Sequence, residues 1–282
     1  MPEITAEMVR QLRETTNVSM MECKRALQEA GGDKEKAMRL LRERGLALAA
    51  KKASRAANQG LIASAIRDGG RAGSLIEVNC ETDFVARNAG FQAFVKALAE
   101  QAVAAEIDLP TATRDAVAAK VAELGENIVA RRCIRYALRG PGLVVSYIHL
   151  GGKVGVLLEL GCGREETVRS PVFAELGKDL TLHVAACSPR FLERQAVPAD
   201  VLQSEREIFA QQVKDKPAAI ISKIVDGKIG KFYKEACFVE QGFVRDPELP
   251  VAKLLEAKGK ELNDQLVIRR FVRFQIGEAV EG

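Results

Sequence analysis

Tryptophan is absent, and the chain has only two histidines, His149 and His183, and three tyrosines. So little aromatic surface argues against a stacking platform for nucleic-acid bases. So little histidine leaves scant material for acid–base or metallohydrolase chemistry, and neither G-x-S-x-G nor H-E-x-x-H occurs. No apolar run is long enough to cross a bilayer as a helix. Met1-Pro2-Glu3-Ile4-Thr5 lacks the basic and apolar regions of a secretory signal, so the expected compartment is the cytoplasm, with no membrane partner. Cys23, Cys80, Cys133, Cys162, Cys187 and Cys237 are scattered without a C-x-x-C pair. That spacing suits neither a disulfide framework nor a zinc site, and predicts small buried thiols.

Charge is nearly balanced, at +4 over 282 residues. Its placement is uneven, because residues 1–60 hold 12 basic and 8 acidic side chains and therefore the whole excess. Such a segment can steer a protein toward an acidic surface, or simply be the solvated face of a small helical unit.

Periodicity predicts an α+β chain with five parts. Residues 1–46 read as a small three-helix N-terminal binding module. Thr5 is placed to cap the first helix, Ser19 with Glu22 the second, and Asp33 the third; Gly31-Gly32 and Gly45 are read as stops. Residues 47–59 read as a helical linker. Residues 60–140 form a first core subdomain: a hairpin of Gly60–Arg67 and Ser74–Cys80, a helix carrying Phe91, Phe94, Val95, Leu98 and Ala102, and another capped near Thr113. The plan recurs in a second subdomain, 141–198 with 238–282. It has strands at Gly142–Leu150, Lys153–Leu160 and Val267–Ile276, with Ser170-Pro171 opening a helix and another near Val251–Lys258. Residues 199–237 interrupt it as a protruding antiparallel helical hairpin.

Enzyme motifs are not convincing. Gly227-Lys228-Ile229-Gly230-Lys231 lacks phosphate-loop spacing, and Gly151-Gly152-Lys153-Val154-Gly155 falls in a hairpin turn rather than between strand and helix. Asp83 has no second carboxylate or histidine placed with it. Arg269, Arg270 and Arg273, with the basic N-terminal segment, offer nucleic-acid binding as a competing reading. The segment Glu77-Val78-Asn79-Cys80-Glu81-Thr82-Asp83-Phe84-Val85-Ala86-Arg87 ends a strand with an acid beside a large aromatic. Two outcomes stay open on the residues alone: Phe84 in the core with Asp83 as a helix cap, or a charge and an apolar wedge offered to a partner.

That segment is similar to the motif of the elongation factor Ts family, in which a run of this kind follows a strand. The likeness extends through Val9–Thr16, Met20–Leu27, Ala50–Ala53, Gly90–Phe94, Leu124–Ile128, Ser146–His149 and Val154–Leu157, in the family's order. Asn17-Val18-Ser19 departs from the glycine-rich turn common in the family, and longer members continue into a further helix after the position of Glu278. The resemblance implies a guanine nucleotide exchange factor, not an enzyme. Its partner is elongation factor Tu, contacted on the GTPase domain and a neighbouring domain. GDP, GTP and Mg²⁺ belong to that partner, so the chain needs no cofactor or metal of its own, and direct nucleic-acid binding is not expected. The implied contacts are Thr82, Asp83, Phe84 and Val85, which disturb the partner's Mg²⁺ site; Leu12, Arg13, Met20 and Met21 of the N-terminal module; and Gly125, Glu126, Asn127 and His149 of the core. The helical hairpin is the implied surface for a 2:2 assembly. His183 is expected to be structural.

Overall fold

A computed structural model describes residues 4–104, 106, 108–215 and 217–279. Three helices come first: α1 (Ala6–Thr16), α2 (Met20–Glu29) and α3 (Lys34–Lys52). Each starts where a short polar side chain satisfies a free backbone N–H. Thr5 accepts from Met8, Ser19 from Glu22 and Asp33 from Lys36. Val9, Leu12, Cys23, Ala26, Leu27 and Ala37 close a small core between them.

The expected stop at Gly45 is not there. α3 runs through Gly45 to Lys52, so module and linker share one helix, and only the stretch after it leaves helical geometry. The glycine serves close packing. A Cβ at Gly45 would lie 3.3 Å from the Ala118 carbonyl oxygen of α6 (Leu109–Leu124), and Arg42 pairs with Asp115 of the same helix. The start of α6 also differs. Asp108 caps it, accepting from the Thr111 N–H, whereas Thr113 is buried within and donates its hydroxyl to the Leu109 carbonyl.

The rest is built twice. β1 (Gln59–Arg67), β2 (Ala72–Cys80) and β3 (Val129–Ala137) form one antiparallel sheet in that order. β4 (Gly142–His149), β5 (Val154–Gly161) and β8 (Val267–Gln275) form the other. The hairpin turns are near-copies: Asp68, Gly69 and Gly70 have φ of 52°, 64° and 92°, and Leu150, Gly151 and Gly152 have 48°, 62° and 96°. The left-handed turn geometry favours glycine. The two sheets meet through reciprocal contacts. A side chain on Gly70 would strike Leu143, and one on Gly152 would strike Leu61, while Ser64 and Ser146 hydroxyls bond at 3.0 Å. Ile62, Leu75, Tyr136, Val144, Leu157 and Phe274 seal the junction.

Central strands β2 and β5 are buried along their whole length, because each is covered by the other sheet on one face and by helices on the other. α5 (Ala89–Ala104) and α6 cover the first sheet; α8 (Pro171–Cys187) and α11 (Val251–Leu262) cover the second. Short helices α4 (Asp83–Ala86) and α7 (Glu165–Val168) follow β2 and β5. Between α8 and α11 come α9 (Ala199–Gln212), α10 (Ala218–Ala236) and the small pair β6 (Gly242–Phe243) and β7 (Asp246–Pro250). α9 and α10 are pinned by Arg206–Asp226, and α10 is seated by Val225, Ile229 and Phe232.

Strand β3 has no counterpart in the expected elements. Its sequence carries Arg131, Arg132 and Arg135, which mask a strand pattern. The charges are accommodated because fully buried Glu77 of β2 receives Arg131 at 3.0 Å and Arg132 at 2.6 Å, beside a bulge at Glu77/Val78. The second sheet repeats the device. Buried Glu159 takes Arg269 at 3.1 Å and Arg270 at 2.7 Å, beside a bulge at Glu159/Leu160. Burial pushes the Glu159 carboxyl up, but the Arg139 N–H and the two arginines outweigh it and hold the group below the ordinary carboxylate value.

Candidate functional site: a strapped turn with an exposed aromatic

At the end of β2 the Cys80 thiol lies 3.2 Å from the Thr82 carbonyl oxygen, and burial raises its pKa to about 11. Thr82 then turns into α4 as its N-cap, its hydroxyl oxygen accepting from the Val85 N–H at 3.3 Å. α4 is one turn long. Ala86 points into the core and Val85 packs against it, which directs Phe84 outward. Phe84 is 81% exposed, the highest value of any large apolar side chain among the described residues. The core placement left open by the sequence is therefore excluded, and the cap is Thr82 rather than Asp83. Asp83 occupies the first helical position and pairs with Arg87 at 3.1 Å.

The turn is held by a segment distant in sequence. α6 ends at Gly125 in the left-handed conformation. Next, the Glu126 carboxylate accepts from the Glu81 N–H and the Thr82 N–H, both at 3.0 Å, and from the Thr82 hydroxyl at 2.5 Å. Glu81 returns the contact, accepting from the Asn127 N–H at 2.6 Å. The Asn127 amide donates to the Arg55 carbonyl at 2.7 Å, and Lys52 donates to the Gly125 carbonyl. Glu126 is half-buried and Asn127 buried, so these two, implied by resemblance as partner contacts, are committed to the turn's own scaffold.

The second half carries the same scaffold with different outward residues. Cys162 Sγ lies 3.3 Å from the Arg164 carbonyl, and α7 follows. Asp264, just after α11, accepts from the Gly163 N–H at 3.0 Å, the Arg164 N–H at 3.1 Å and the Thr167 hydroxyl at 2.6 Å. Burial pushes Asp264 up, but these bonds outweigh it and leave the carboxyl below its ordinary value. Exposed Glu166 stands where the first half has Phe84.

Other expected contact residues divide by exposure. Met20 and Met21 are 43% and 61% exposed at the first turn of α2, and Arg13 is exposed on α1. Leu12 is fully buried in the three-helix core; it holds α1 in place and offers no surface. His149, at the end of β4, is exposed; its Nδ1 lies 2.9 Å from the Tyr147 hydroxyl and the two rings stack. Leu150 beside it, expected as the last residue of the strand, lies in the turn instead and is exposed with φ 48°. The hint was an apolar residue, rather than a glycine, leading into Gly151-Gly152. His183 is buried as expected: Nδ1 accepts from the Val244 N–H at 3.0 Å, which leaves the Nε2 proton to donate to Gln241 at 2.8 Å.

Gly227–Lys231 lies inside α10 as helix, not as a phosphate loop. Among the described residues no cluster of three His, Cys, Asp or Glu could hold a metal ion, and no helix is long and apolar enough to cross a membrane.

The fold and the turn define a duplicated α+β protein that presents an aromatic-tipped, rigidly braced loop on its surface. A family model described as Elongation factor TS matches residues 81–278. The chain is 44% identical to an Elongation factor Ts of Clostridium kluyveri, covering 99% of this chain and 94% of that one. It is 42% identical to an Elongation factor Ts of Clostridium botulinum and 41% to one of Trichlorobacter lovleyi, with the same coverage. The chain belongs to the elongation factor Ts family.

Proposed function

We propose that this protein is a guanine nucleotide exchange factor for elongation factor Tu. It binds the GDP form, releases GDP by disturbing the Mg²⁺ and phosphate site, and lets GTP enter during translation elongation in the cytoplasm. The observation that carries the reading is Phe84, 81% exposed on a turn braced by the Glu126 carboxylate. A GTPase holds GDP through Mg²⁺ and a loop of backbone N–H groups. A factor that prefers the nucleotide-free state must weaken GDP by the same free energy, through thermodynamic reciprocity. In this mechanism Phe84 is the apolar wedge between two helices of the GTPase domain, and Asp83 brings a negative charge beside it. Arg13, Met20 and Met21 supply a second grip from the N-terminal helices, and His149 a third, from the second subdomain to the GTPase domain. The factor performs no covalent chemistry; GDP, GTP and Mg²⁺ stay with the partner.

Exposed Ile208 and Ile220 give the α9–α10 hairpin an apolar surface suited to a 2:2 assembly. Nucleic-acid binding is less well supported, because Arg269 and Arg270 are already held by Glu159 and by the Gly140, Pro141 and Ala137 carbonyls. The test is release of a fluorescent GDP from elongation factor Tu, followed by stopped flow with and without this protein. Acceleration that saturates with factor concentration is expected; an unchanged rate would refute the function.

A further inference from the structure

We infer that Glu126 is a positioning residue for nucleotide exchange: its carboxylate sets the register of the Thr82–Phe84 turn, and with it the direction in which Phe84 is aimed. The inference rests on the exchange-factor reading and deepens it. Three bonds converge on this one side chain, and they fix the proton arrangement of the cap. An ionised carboxylate only accepts, so the Thr82 hydroxyl must give its hydrogen to Glu126 at 2.5 Å. That leaves a Thr82 lone pair for the Val85 N–H, the bond that starts α4. The chain of contacts therefore runs from Glu126 through Thr82 to the helix that holds Phe84 outward. The Glu81–Asn127 bond and the Asn127–Arg55 bond lock the same segments from the opposite direction.

The duplicated fold provides its own control. Asp264 braces α7 with the same kind of bonds, but the residue presented there is Glu166 and no exposed aromatic stands on that turn. If the brace served only to stabilise a subdomain, removing either carboxylate would have equivalent consequences. If Glu126 acts through Phe84, only its removal alters exchange.

The experiment compares the full-length wild-type chain with Glu126→Ala, Asp264→Ala and Phe84→Ala. It measures release of fluorescent GDP from elongation factor Tu over a range of factor concentrations, at a temperature where every variant is folded by circular dichroism. Misplacing a functional side chain by about an ångström can cost tenfold or more in rate, so Glu126→Ala is expected to lower the saturating rate by about tenfold. The factor concentration at half-saturation should change less, because the other contact patches remain. Asp264→Ala should keep the saturating rate within about twofold, since it leaves the first turn untouched. Amide exchange should quicken at Glu81, Thr82 and Val85 in Glu126→Ala, and at Gly163 and Arg164 in Asp264→Ala.

A wild-type saturating rate in Glu126→Ala, with Phe84→Ala impaired, would overturn the positioning role while leaving the wedge intact. Equal losses in Glu126→Ala and Asp264→Ala would also overturn it, by showing a general effect on folding. An unimpaired Phe84→Ala would remove the wedge itself and the inference with it.

Discussion

Replacing Phe84 by alanine separates a presented side chain from a packed one. Phe84 is 81% exposed, so truncation removes little buried area and leaves no cavity. Alanine is also the better helix former, by roughly 0.5 kcal/mol at an exposed position such as this turn of α4. The variant should thus melt within a degree or two of wild type, or slightly above it. Exchange should behave otherwise. An aromatic anchor buried at an interface typically contributes about 2 kcal/mol, equivalent to roughly 30-fold in an equilibrium or rate. The saturating rate of stimulated GDP release from elongation factor Tu should therefore fall by about 30-fold. Thermal unfolding and stopped-flow release on the same preparation give both numbers. A melting temperature several degrees lower would show that Phe84 is packed in solution, and an unchanged release rate would show that it is not the wedge. Either result refutes the argument built on the turn.

Acid sensitivity should begin with His183. Burial holds its folded-state pKa below the ordinary value, despite the Gln241 bond that favours the proton, and Nδ1 is occupied as an acceptor from Val244. The unfolded chain then protonates first, so stability is complete above about pH 6.5 and falls below it, by up to about 1.4 kcal/mol per pH unit for one group. Urea midpoints at several pH values should show this slope in wild type and lose it in His183→Asn. Glu159→Gln should cost about 3 kcal/mol in denaturant unfolding, because Arg269 and Arg270 lose the charge they enclose. Gly45→Leu should lower stability by about 2 kcal/mol, since even a Cβ there meets the Ala118 carbonyl at 3.3 Å. Met21→Glu, at an exposed site on α2, should weaken binding to elongation factor Tu in titration calorimetry while the melting temperature stays unchanged.

Local rules made the caps of α1, α2 and α3 legible, because Thr5, Ser19 and Asp33 bond to N–H groups three residues ahead. They failed at Gly45, where a helix-breaking residue is retained to let α3 approach α6. They failed at β3 for a related reason: Arg131 and Arg132 belong to a strand only because Glu77 waits in the neighbouring one. The contact residues divided along the same line. Resemblance pointed to Phe84, Met20, Met21 and His149, and all four are exposed. It pointed equally to Leu12, Glu126 and Asn127, whose partners lie within the chain itself. Motif spacing marks residues that a family uses; whether one faces a partner or holds another in place depends on contacts distant in sequence.

The two halves show how a contact site can be set on a shared scaffold. Both have a cysteine closing the central strand, a one-turn helix and a carboxylate bracing it from after a later helix. Both have a buried glutamate gripping two arginines beside a bulge. These features build the sheet and its corner, and their recurrence marks them as architecture. What differs is the presented residue, Phe84 in one half and Glu166 in the other. An exposed phenylalanine contributes nothing to the corner, since the same corner stands with glutamate in its place. Its presence in one copy alone therefore calls for a cause outside the fold, and a partner that buries it supplies one. On the exchange-factor reading the brace gains its significance from the same comparison: a fixture common to both halves aims, in one of them, an exposed aromatic that the corner does not need.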